Sequence, residues 1–419
     1  QEEKPQEKMK FKNLYYNIFI CEDLWDEKFV RRKEKNEADF NIVVNASPYD
    51  KEKYTDRIKL VKNRVRILKS PILYVNLVGG QDDLVFDGGS FCIDKESNLI
   101  FQAPFFKEYD DTFTFDFTKK SKKIKKNYNK LQNLYDALVL SFRDYMNGCG
   151  FSKALLGISG GIDSALCASL ACDSLGNKNV MGVFLPTKFT SNESLKDSEM
   201  LCKNLGIKLE HINIEYLRKE FNLTLKKQFK KFIKEVTEEN IQSRIRGSIL
   251  MAMSNNFSSI LITTGNKSEL AVGYSTIYGD MCGGYSILKD IYKSDVYKLS
   301  MWRNKHFTSL CKSKFLNIIP NNIITKEPTA ELKFDQKDSD FLPPYDILDN
   351  ILYSIIDENL SLNEIIKKGF EKNLITRIWN MIMSSEYKRF QSVIGPKVSK
   401  MNFDSDRRFP IVNRFRIDE

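Results

Sequence analysis

The chain has 419 residues, of which 42% are hydrophobic and 29% are charged, and its net charge is +10. These values are typical of a globular protein with two or three domains. The sequence shows neither a run of about 18 apolar residues, as a transmembrane helix needs, nor the apolar core of a signal peptide. Eight cysteines without a C-x-x-C pair and only two histidines argue against a disulfide framework, a zinc ribbon and a His-rich metal site. We therefore expect a cytoplasmic protein with reduced thiols and no membrane partner.

The region 15–117 contains four apolar runs separated by polar or glycine-containing stretches, a pattern that predicts a β-rich domain. Its first run leads into the segment "NIFICEDLWDE" at 17–27, where Cys21 is followed by two acids. Free cysteine usually behaves as a small buried hydrophobe. Local sequence alone therefore leaves Cys21 either a buried residue at a strand end or a nucleophile. The four runs are "YYNIFI", "FNIVVNAS", "ILYVNLVG" and "FCIDKESNLIFQ".

The lysine-rich stretch "KKSKKIKKNYNK" at 119–130 predicts a basic linker between domains. A second basic run, "KKQFKKFIKE", occupies 226–235. Such runs are compatible with a nucleic-acid or polyphosphate surface. A solvated linker and the outer face of an amphipathic helix explain them as well, and we favour that interpretation because basic runs are common in both places.

From residue 131 onward, predicted helices alternate with short apolar strands. This alternation is typical of a doubly wound α/β domain with a parallel sheet. The predicted strands cover 153–158, 179–186, 208–214 and 258–265, and the predicted helices cover 131–150, 163–176 and 193–207.

The segment "LLGISGGIDSALCAS" at 155–169 predicts an anion-binding turn. Small residues allow the backbone to approach a ligand, and the start of the following helix offers free N–H groups and a positive dipole end. A pyrophosphate group is the simplest anion for such a turn. No G-K-[ST] follows the glycines, so the turn is not a Walker A loop. An aspartate beside phosphates makes sense if Asp163 holds Mg²⁺.

This turn resembles the signature of ATP pyrophosphatases with the adenine-nucleotide α-hydrolase fold. Members of that group adenylate a substrate oxygen, and a nitrogen or sulfur nucleophile then displaces AMP. Further segments resemble the synthetase domain of the glutamine-dependent NAD⁺ synthetases, in the expected order over 131–419. They are "LPTKFTSNESLKDSEML", "TEENIQSRIRGSILMAMSN", "LITTGNKSELAVGYSTIYGDMCGGYSILKD", "KEPTAEL", "DQKDSDFLPPYDILD", "EYKRFQSVIGPKVS" and "RRFPIVNRF".

The resemblance implies roles for individual residues of this sequence. Positions that match ATP contacts are Gly157, Ile158, Ser159, Gly160, Gly161, Ile162, Asp163, Ser164, Thr264, Lys289 and Thr329. Positions that match contacts to deamido-NAD⁺ are Asn240, Glu269, Asp280 and Lys388. The resemblance further implies that Asp163 and Glu269 meet Mg²⁺, that ATP is a substrate, that no nucleic acid is bound, and that the protein is a homo-oligomer.

The N-terminal region resembles the nitrilase-like glutaminase domain of the same family through "FICEDLW", "NASPYDKEK" and "VNLVGGQDDLVFDGGSF". The resemblance implies that Cys21 is the nucleophile that takes the acyl group of glutamine and releases ammonia. Ser47 and Lys53 match glutamine-contacting positions. In the family a catalytic Glu and Lys lie well upstream of the cysteine, and we find no counterparts among the twenty residues before Cys21. The expected domains are thus the C-terminal portion of a nitrilase-like sandwich at 1–118, the linker, and the synthetase domain at 131–419.

The leading functional hypothesis is ATP-dependent adenylation of deamido-NAD⁺ and its amidation by ammonia from glutamine, which yields NAD⁺, AMP and pyrophosphate. One alternative is a synthetase that uses free ammonia and carries a non-functional glutaminase remnant. Another, motivated by the net charge, is a tRNA-modifying ATP pyrophosphatase. For the first half of the glutaminase domain, we favour a piece missing from this sequence over a natural half-domain, because a half sandwich would expose an unpaired sheet edge.

Overall fold

The computed structural model describes residues 8–112, 114, 124, 128–229 and 234–416. The chain divides into two compact units, Gln1–Ser141 and Phe142–Glu419. The predicted linker 119–130 lies outside the described residues except at 124 and 128–130. None of the helices that the described residues form combines the length and apolar character needed to cross a bilayer.

The first unit is built on a six-stranded mixed sheet with an adjoining hairpin. Its elements in chain order are β1 (Met9–Phe11), β2 (Leu14–Ile20), α1 (Glu27–Glu34), β3 (Phe40–Asn45), α2 (Lys53–Leu68), β4 (Ile72–Asn76), β5 (Val78–Gln81), β6 (Leu84–Asp87), β7 (Phe91–Ile93) and β8 (Leu99–Gln102), and α3 (Lys130–Gly148) follows. The sheet order is β1-β2-β3-β4-β7-β8, and β5 pairs with β6. Strands β2, β3 and β4 are mutually parallel, while the other pairs are antiparallel.

Helices α1 and α2 occupy two stretches that the sequence analysis treated as connections between strands. Parallel neighbours cannot be joined by a tight turn, so each connection in β2–β3–β4 needs a crossover, usually a helix. Val61 and Val65 of α2 pack with Phe19 of β2 and Val43 of β3 in one buried cluster. Full burial of such a side chain contributes about 1.5–3 kcal/mol. This packing holds the ends of β2 and β3, where the predicted glutaminase residues follow.

The second unit contains a five-stranded sheet flanked by helices. Its elements are β9 (Ala154–Gly157), α4 (Ile162–Leu175), β10 (Val180–Phe184), α5 (Asn192–Leu205), β11 (Lys208–His211), α6 (Glu215–Phe229), α7 (Glu235–Phe257), β12 (Ile260–Thr263), α8 (Lys267–Val272), β13 (Tyr285–Ser286), α9 (Lys293–Lys305), α10 (Asn321–Thr325), α11 (Tyr345–Ile356), α12 (Leu362–Lys367), α13 (Lys372–Ser384) and α14 (Glu386–Arg389). The strand order is β11-β10-β9-β12-β13, and every pair is parallel. The prediction of a doubly wound parallel sheet is confirmed.

Strand β9 lies at the point where the strand order reverses. From β9 the chain builds outward through β10 to β11, and it then returns to add β12 on the other side of β9. The connections after β9 and β12 therefore diverge and leave a crevice at the carboxyl ends of these two strands. Ligands bind at this crevice in open α/β sheets.

Helix α8 follows β12 at this crevice, and buried contacts of its first residue hold it in place. Its first residue, Lys267, is fully buried, and its ammonium group lies 2.9 Å from Asp290 Oδ1 and 3.3 Å from Asp357 Oδ2. Lys267 Nζ also donates to Ser399 Oγ at 2.7 Å. A buried ion pair is stable only when further hydrogen bonds satisfy its members. Here they tie α8 to α11 and to the C-terminal segment.

Candidate active site

The turn between β9 and α4 forms one end of a cavity of about 920 Å³. Two serine hydroxyls hold the turn in shape. Ser164 Oγ donates to the carbonyl of Gly161 at 2.9 Å and lies 3.1 Å from Ser159 Oγ, which accepts from the N–H of Gly161 at 3.2 Å. These bonds fix the backbone of a segment that has no regular structure of its own. The whole of 157–164 lines the cavity.

Gly160 is required by geometry on two counts. Its φ of +77° lies in the left-handed region that L side chains rarely adopt. A Cβ at this position would also lie 2.7 Å from Ser194 Cα and from the Ser194 carbonyl oxygen. The turn therefore rests directly on the first turn of α5, with no room for a side chain between them.

The carboxylate of Asp163 meets the loop after β12 at the strand-order reversal. Asn266 Nδ2 donates to Asp163 Oδ1 at 2.9 Å, and Asn266 Oδ1 accepts from the N–H of Glu269 at 3.1 Å. Asn266 is thus the N-cap of α8 and joins the two predicted metal-binding acids. Asp163 is 103 residues from Asn266 in sequence, and Glu269 is 24 residues from Lys293. Only the fold therefore brings these side chains together.

Lys293 lies between these two acids. Its ammonium group donates to Asp163 Oδ2 and, at 3.2 Å, to Glu269 Oε1. Burial would lower the pKa of Lys293, but the charges of Asp163 and Glu269 outweigh it and hold that pKa above its ordinary value. Burial raises the pKa of Glu269; Lys293 opposes the rise and Asp163 adds to it. Lys293 is therefore a permanent positive charge at the floor of the cavity.

Lys289, the lysine matched to an ATP contact in the sequence analysis, does not reach this cavity. Its ammonium group donates to the carbonyl of Val393 at 2.5 Å and to Asp404 Oδ1 at 2.6 Å. Lys289 precedes α9, whereas Lys293 begins it. Three residues separate the two lysines, and their side chains meet different neighbours. The structure therefore places Lys293, which the sequence analysis did not single out, rather than Lys289 beside the turn at 157–164, the predicted phosphate turn.

The other predicted substrate contacts form a second polar group on the cavity wall. Asp280 Oδ1 accepts from the N–H of Thr276 at 2.9 Å, and Asp280 Oδ2 lies 3.1 Å from Ser243 Oγ. Thr276 Oγ1 donates to Asn240 Oδ1 at 2.9 Å. Burial raises the pKa of Asp280, while the hydrogen bonds from Thr276 and Ser243 oppose the rise. Thr276 thereby links Asn240 of α7 to Asp280 in the loop after α8.

Lys388 of α14 contacts the loop that follows α8. Its ammonium group donates to the carbonyls of Gly273 and Ser275, each at 2.7 Å. Burial lowers the pKa of Lys388, and the charge of Asp280 opposes this shift. Two carbonyls leave at least one N–H of the ammonium for a ligand. Lys388 lines the cavity and can meet an anion there.

The cavity therefore collects every residue matched to ATP or deamido-NAD⁺ except Lys289, including Thr264 and Thr329. Besides Lys293, the sequence analysis missed Arg246 and Glu331, which also line it. Burial lowers the pKa of Arg246 to about 10, and Glu331 opposes the shift. Arg246 lies on α7 six residues after Asn240, which is not a same-face spacing, so helical periodicity from Asn240 gave no signal for it.

In the first unit, Cys21 directly follows β2 and has a φ of +47°. Ser47 follows β3, the parallel neighbour of β2, so both lie beyond the carboxyl edge of the same sheet. The N–H of Ser47 donates to Asn76 Oδ1 at 2.9 Å, and its hydroxyl accepts from Arg57 Nε at 3.1 Å. Lys53 begins α2, with its ammonium group 4.9 Å from the ring centre of Trp25.

Comparison with known proteins identifies the family. Residues 134–392 match the family model described as NAD synthase. A curated relative, glutamine-dependent NAD(+) synthetase of Acinetobacter baylyi, is 41% identical over 96% of this chain and 74% of its own length. The chain belongs to the glutamine-dependent NAD⁺ synthetase family. A second relative of the same name, from Synechocystis, is also 41% identical, over 97% of this chain and 74% of its own length.

A solved glutamine-dependent NAD⁺ synthetase, that of Acinetobacter baumannii in complex with ADP, shares the fold. Its TM-score is 0.73 at 36% identity, and the match covers 100% of this chain and 76% of that one. The match extends over both units, so membership of the glutamine-dependent NAD⁺ synthetases is not confined to the synthetase domain. It also sets aside the tRNA-modifying alternative that the sequence left open.

Proposed function

We propose that this chain makes NAD⁺ from deamido-NAD⁺ in the cavity of its second unit, with ATP as the activating substrate and ammonia as the nucleophile. The observation that carries the proposal is the meeting of Asp163, Glu269 and Lys293 at the phosphate turn. The ADP complex of the Acinetobacter baumannii enzyme supports adenine-nucleotide binding. As a glutamine-dependent NAD⁺ synthetase, the chain is a carbon–nitrogen ligase.

The chemistry needs two anions brought together, the triphosphate and the substrate carboxylate. A carboxylate oxygen attacks the α-phosphorus, pyrophosphate leaves, and ammonia then displaces AMP to form the amide. The turn at 157–164 and the cation of Lys293 suit the phosphates, because fixed N–H groups and a buried positive charge stabilise developing negative charge. Lys388 and Arg246 supply further positive charge on the walls. A site that excludes water during the reaction would protect the adenylate from hydrolysis.

The residues at the turn fit Mg²⁺. Asp163 and Glu269 offer hard carboxylate oxygens from two different elements, the donor type that Mg²⁺ prefers. Among the residues that the structure describes, no group of three or more His, Cys, Asp or Glu is placed to hold a metal. Mg²⁺ commonly uses one or two carboxylates with substrate phosphates as further ligands. When bound, the ion would neutralise phosphate charge, and Asp163 and Glu269 would hold it.

We propose that ammonia comes from glutamine through Cys21. A thiolate is a strong nucleophile, and the left-handed backbone at Cys21 places it in a sharp turn directly after β2. Ser47, held by Arg57 and Asn76, lies beyond the same sheet edge and would orient the substrate. The glutamine dependence of the named relatives supports this source of ammonia.

The test is NAD⁺ formation from deamido-NAD⁺, ATP, Mg²⁺ and ammonium chloride, which does not require glutamine hydrolysis. Asp163→Asn keeps the shape of the side chain but removes its charge, and we expect at least a 100-fold loss of turnover. Asp346→Asn is the matched control, since Asp346 is an exposed acid in the first turn of α11. Wild-type protein that forms no NAD⁺, or Asp163→Asn protein with undiminished turnover, would contradict the proposal.

A further inference from the structure

The segment between α10 and α11 forms one wall of the cavity without regular secondary structure over most of its length. Residues 326–332, 336 and 338 line the cavity, and the predicted ATP contact Thr329 is among them. Irregular backbone has no ladder of hydrogen bonds to hold it, so its position depends on side-chain contacts. Gln242 of α7 supplies one, by donating to the carbonyl of Leu332 at 2.8 Å.

The carboxylate of Glu331 supplies more of these contacts than Gln242 does. Its Oε1 accepts from Ser191 Oγ at 2.8 Å, from Ser194 Oγ at 2.8 Å and from Lys326 Nζ at 2.9 Å. Its Oε2 accepts from the N–H of Ser191 at 3.2 Å. Ser191 is the N-cap of α5, so the carboxylate joins the wall to the start of that helix. Hydrogen bonds to an ionised acceptor are about twice as strong as neutral ones.

The backbone at Glu331 is strained, with a φ of +48° in the left-handed region. A non-glycine residue persists there only where its surroundings hold it, and such residues cluster at functional sites. The N–H of Glu331 donates to Thr329 Oγ1 at 3.2 Å, and Thr329 Oγ1 donates to the carbonyl of Gln336 at 2.5 Å. The strained residue therefore sets the orientation of Thr329.

Glu331 is also connected to the phosphate turn, through Ser194. Ser194, which donates to Glu331, is the residue against which Gly160 packs without space for a Cβ. Burial would raise the pKa of Glu331, but hydrogen bonds from Lys326, Ser194 and Ser191 outweigh it and lower that pKa below its ordinary value. The carboxylate is therefore ionised at neutral pH and retains all four contacts.

We propose that Glu331 is a positioning residue for ATP: it clamps the 326–338 wall onto α5 and thereby sets both Thr329 and the phosphate turn. The proposal rests on the proposed function, because it assigns ATP to this end of the cavity. Glu331 is assigned a positioning role because four donors from Ser191, Ser194 and Lys326 already occupy its carboxylate oxygens. Its effect should fall on ATP binding and leave the other substrates unaffected.

The test uses the full chain with ammonium chloride as nitrogen source. For Glu331→Gln we expect the KM for ATP to rise about tenfold, while kcat and the KM for deamido-NAD⁺ stay within about threefold. Asp340→Asn is the matched control, because it makes the same chemical change on the same segment at an exposed residue outside the cavity. The control should keep the wild-type KM for ATP.

Ser194→Ala provides a second variant that removes one donor to the carboxylate with little change of volume. If Glu331 acts through Ser194, the two substitutions combined should raise the KM for ATP by less than the product of their separate effects. An unchanged KM for ATP in both single variants, or an equal rise in Asp340→Asn, would overturn the inference. Wild-type protein that makes no NAD⁺ would instead overturn the proposed function, so the two failures are distinguishable.

Discussion

At the scale of single residues, the decisive feature of the site is the positive charge of Lys293, which lies between Asp163 and Glu269. This positive charge offsets the mutual repulsion of the two carboxylates. Removing one member of a buried ion pair leaves an uncompensated charge, which costs about 3–5 kcal/mol. The pKa shifts of Lys293 and Glu269 follow from the same arrangement.

Substitution of Lys293 tests this arrangement. Comparison with Lys289 tests which of the two lysines acts on ATP. For Lys293→Gln we expect kcat/KM for ATP to fall at least 100-fold and the free energy of unfolding to fall by about 3 kcal/mol. Lys289→Gln breaks contacts with Asp404 and the Val393 carbonyl, so it should lower stability while kcat/KM for ATP stays within about threefold. Steady-state kinetics and denaturant unfolding measure both. A larger kinetic effect at Lys289 would count against the site described above.

Residue types and short motifs predicted many of the residues that line the cavity. The S-G-G-x-D-S turn predicted an anion site, and Gly160 and Asp163 do line the cavity. The matched segment 261–290 contains Lys289 but ends before Lys293, so the motif match gave no signal for Lys293. What distinguishes them is the partner that each side chain meets, and those partners, Asp404 and Asp163, lie more than one hundred residues away in sequence.

At the scale of elements, the close packing of the β9–α4 turn onto α5 governs the shape of the phosphate site. Alternating apolar runs and helical patterns predicted both elements. They did not predict that the turn would touch the backbone of Ser194, because nothing in the local pattern encodes contact between separate elements.

We expect Gly160→Ala to lower kcat/KM for ATP at least tenfold. The left-handed backbone costs a non-glycine residue about 1–2 kcal/mol, and the new methyl would meet Ser194 at 2.7 Å, so the turn would have to move. Gly161→Ala is the neighbouring control. Its φ of −96° is ordinary, and the nearest atom to its Cβ is Ser159 Oγ at 3.2 Å. Kinetics that show equal losses in the two variants would refute this account of the turn.

At the scale of the whole molecule, the chain carries two units with separate proposed chemistries. Cys21→Ala should remove NAD⁺ formation supported by glutamine, because no thiolate remains to accept the acyl group. NAD⁺ formation supported by ammonium chloride should stay within about twofold of wild type, because the synthetase cavity is lined by residues of the second unit.

Parallel assays of both proteins with each nitrogen source decide this prediction. Glutamine-supported synthesis that survives in Cys21→Ala would exclude Cys21 as the nucleophile. Wild-type protein that uses ammonium chloride but not glutamine would overturn the proposed ammonia source and leave the proposed synthetase reaction standing.

The sequence by itself determined the fold class of the second unit and the family, and it predicted the anion-binding turn at 157–164, because hydrophobic periodicity and short motifs are local properties of the chain. In the first unit its apolar runs corresponded to β2, β3, β4, β7 and β8, but it predicted neither β1 and β6 nor the helices α1 and α2. The need for crossover helices arises only once β2, β3 and β4 are parallel neighbours. Only the tertiary structure decided which charges meet. Lys293 and Glu331 acquire their roles from residues distant in sequence, through the order of strands and the packing of α5 and α8.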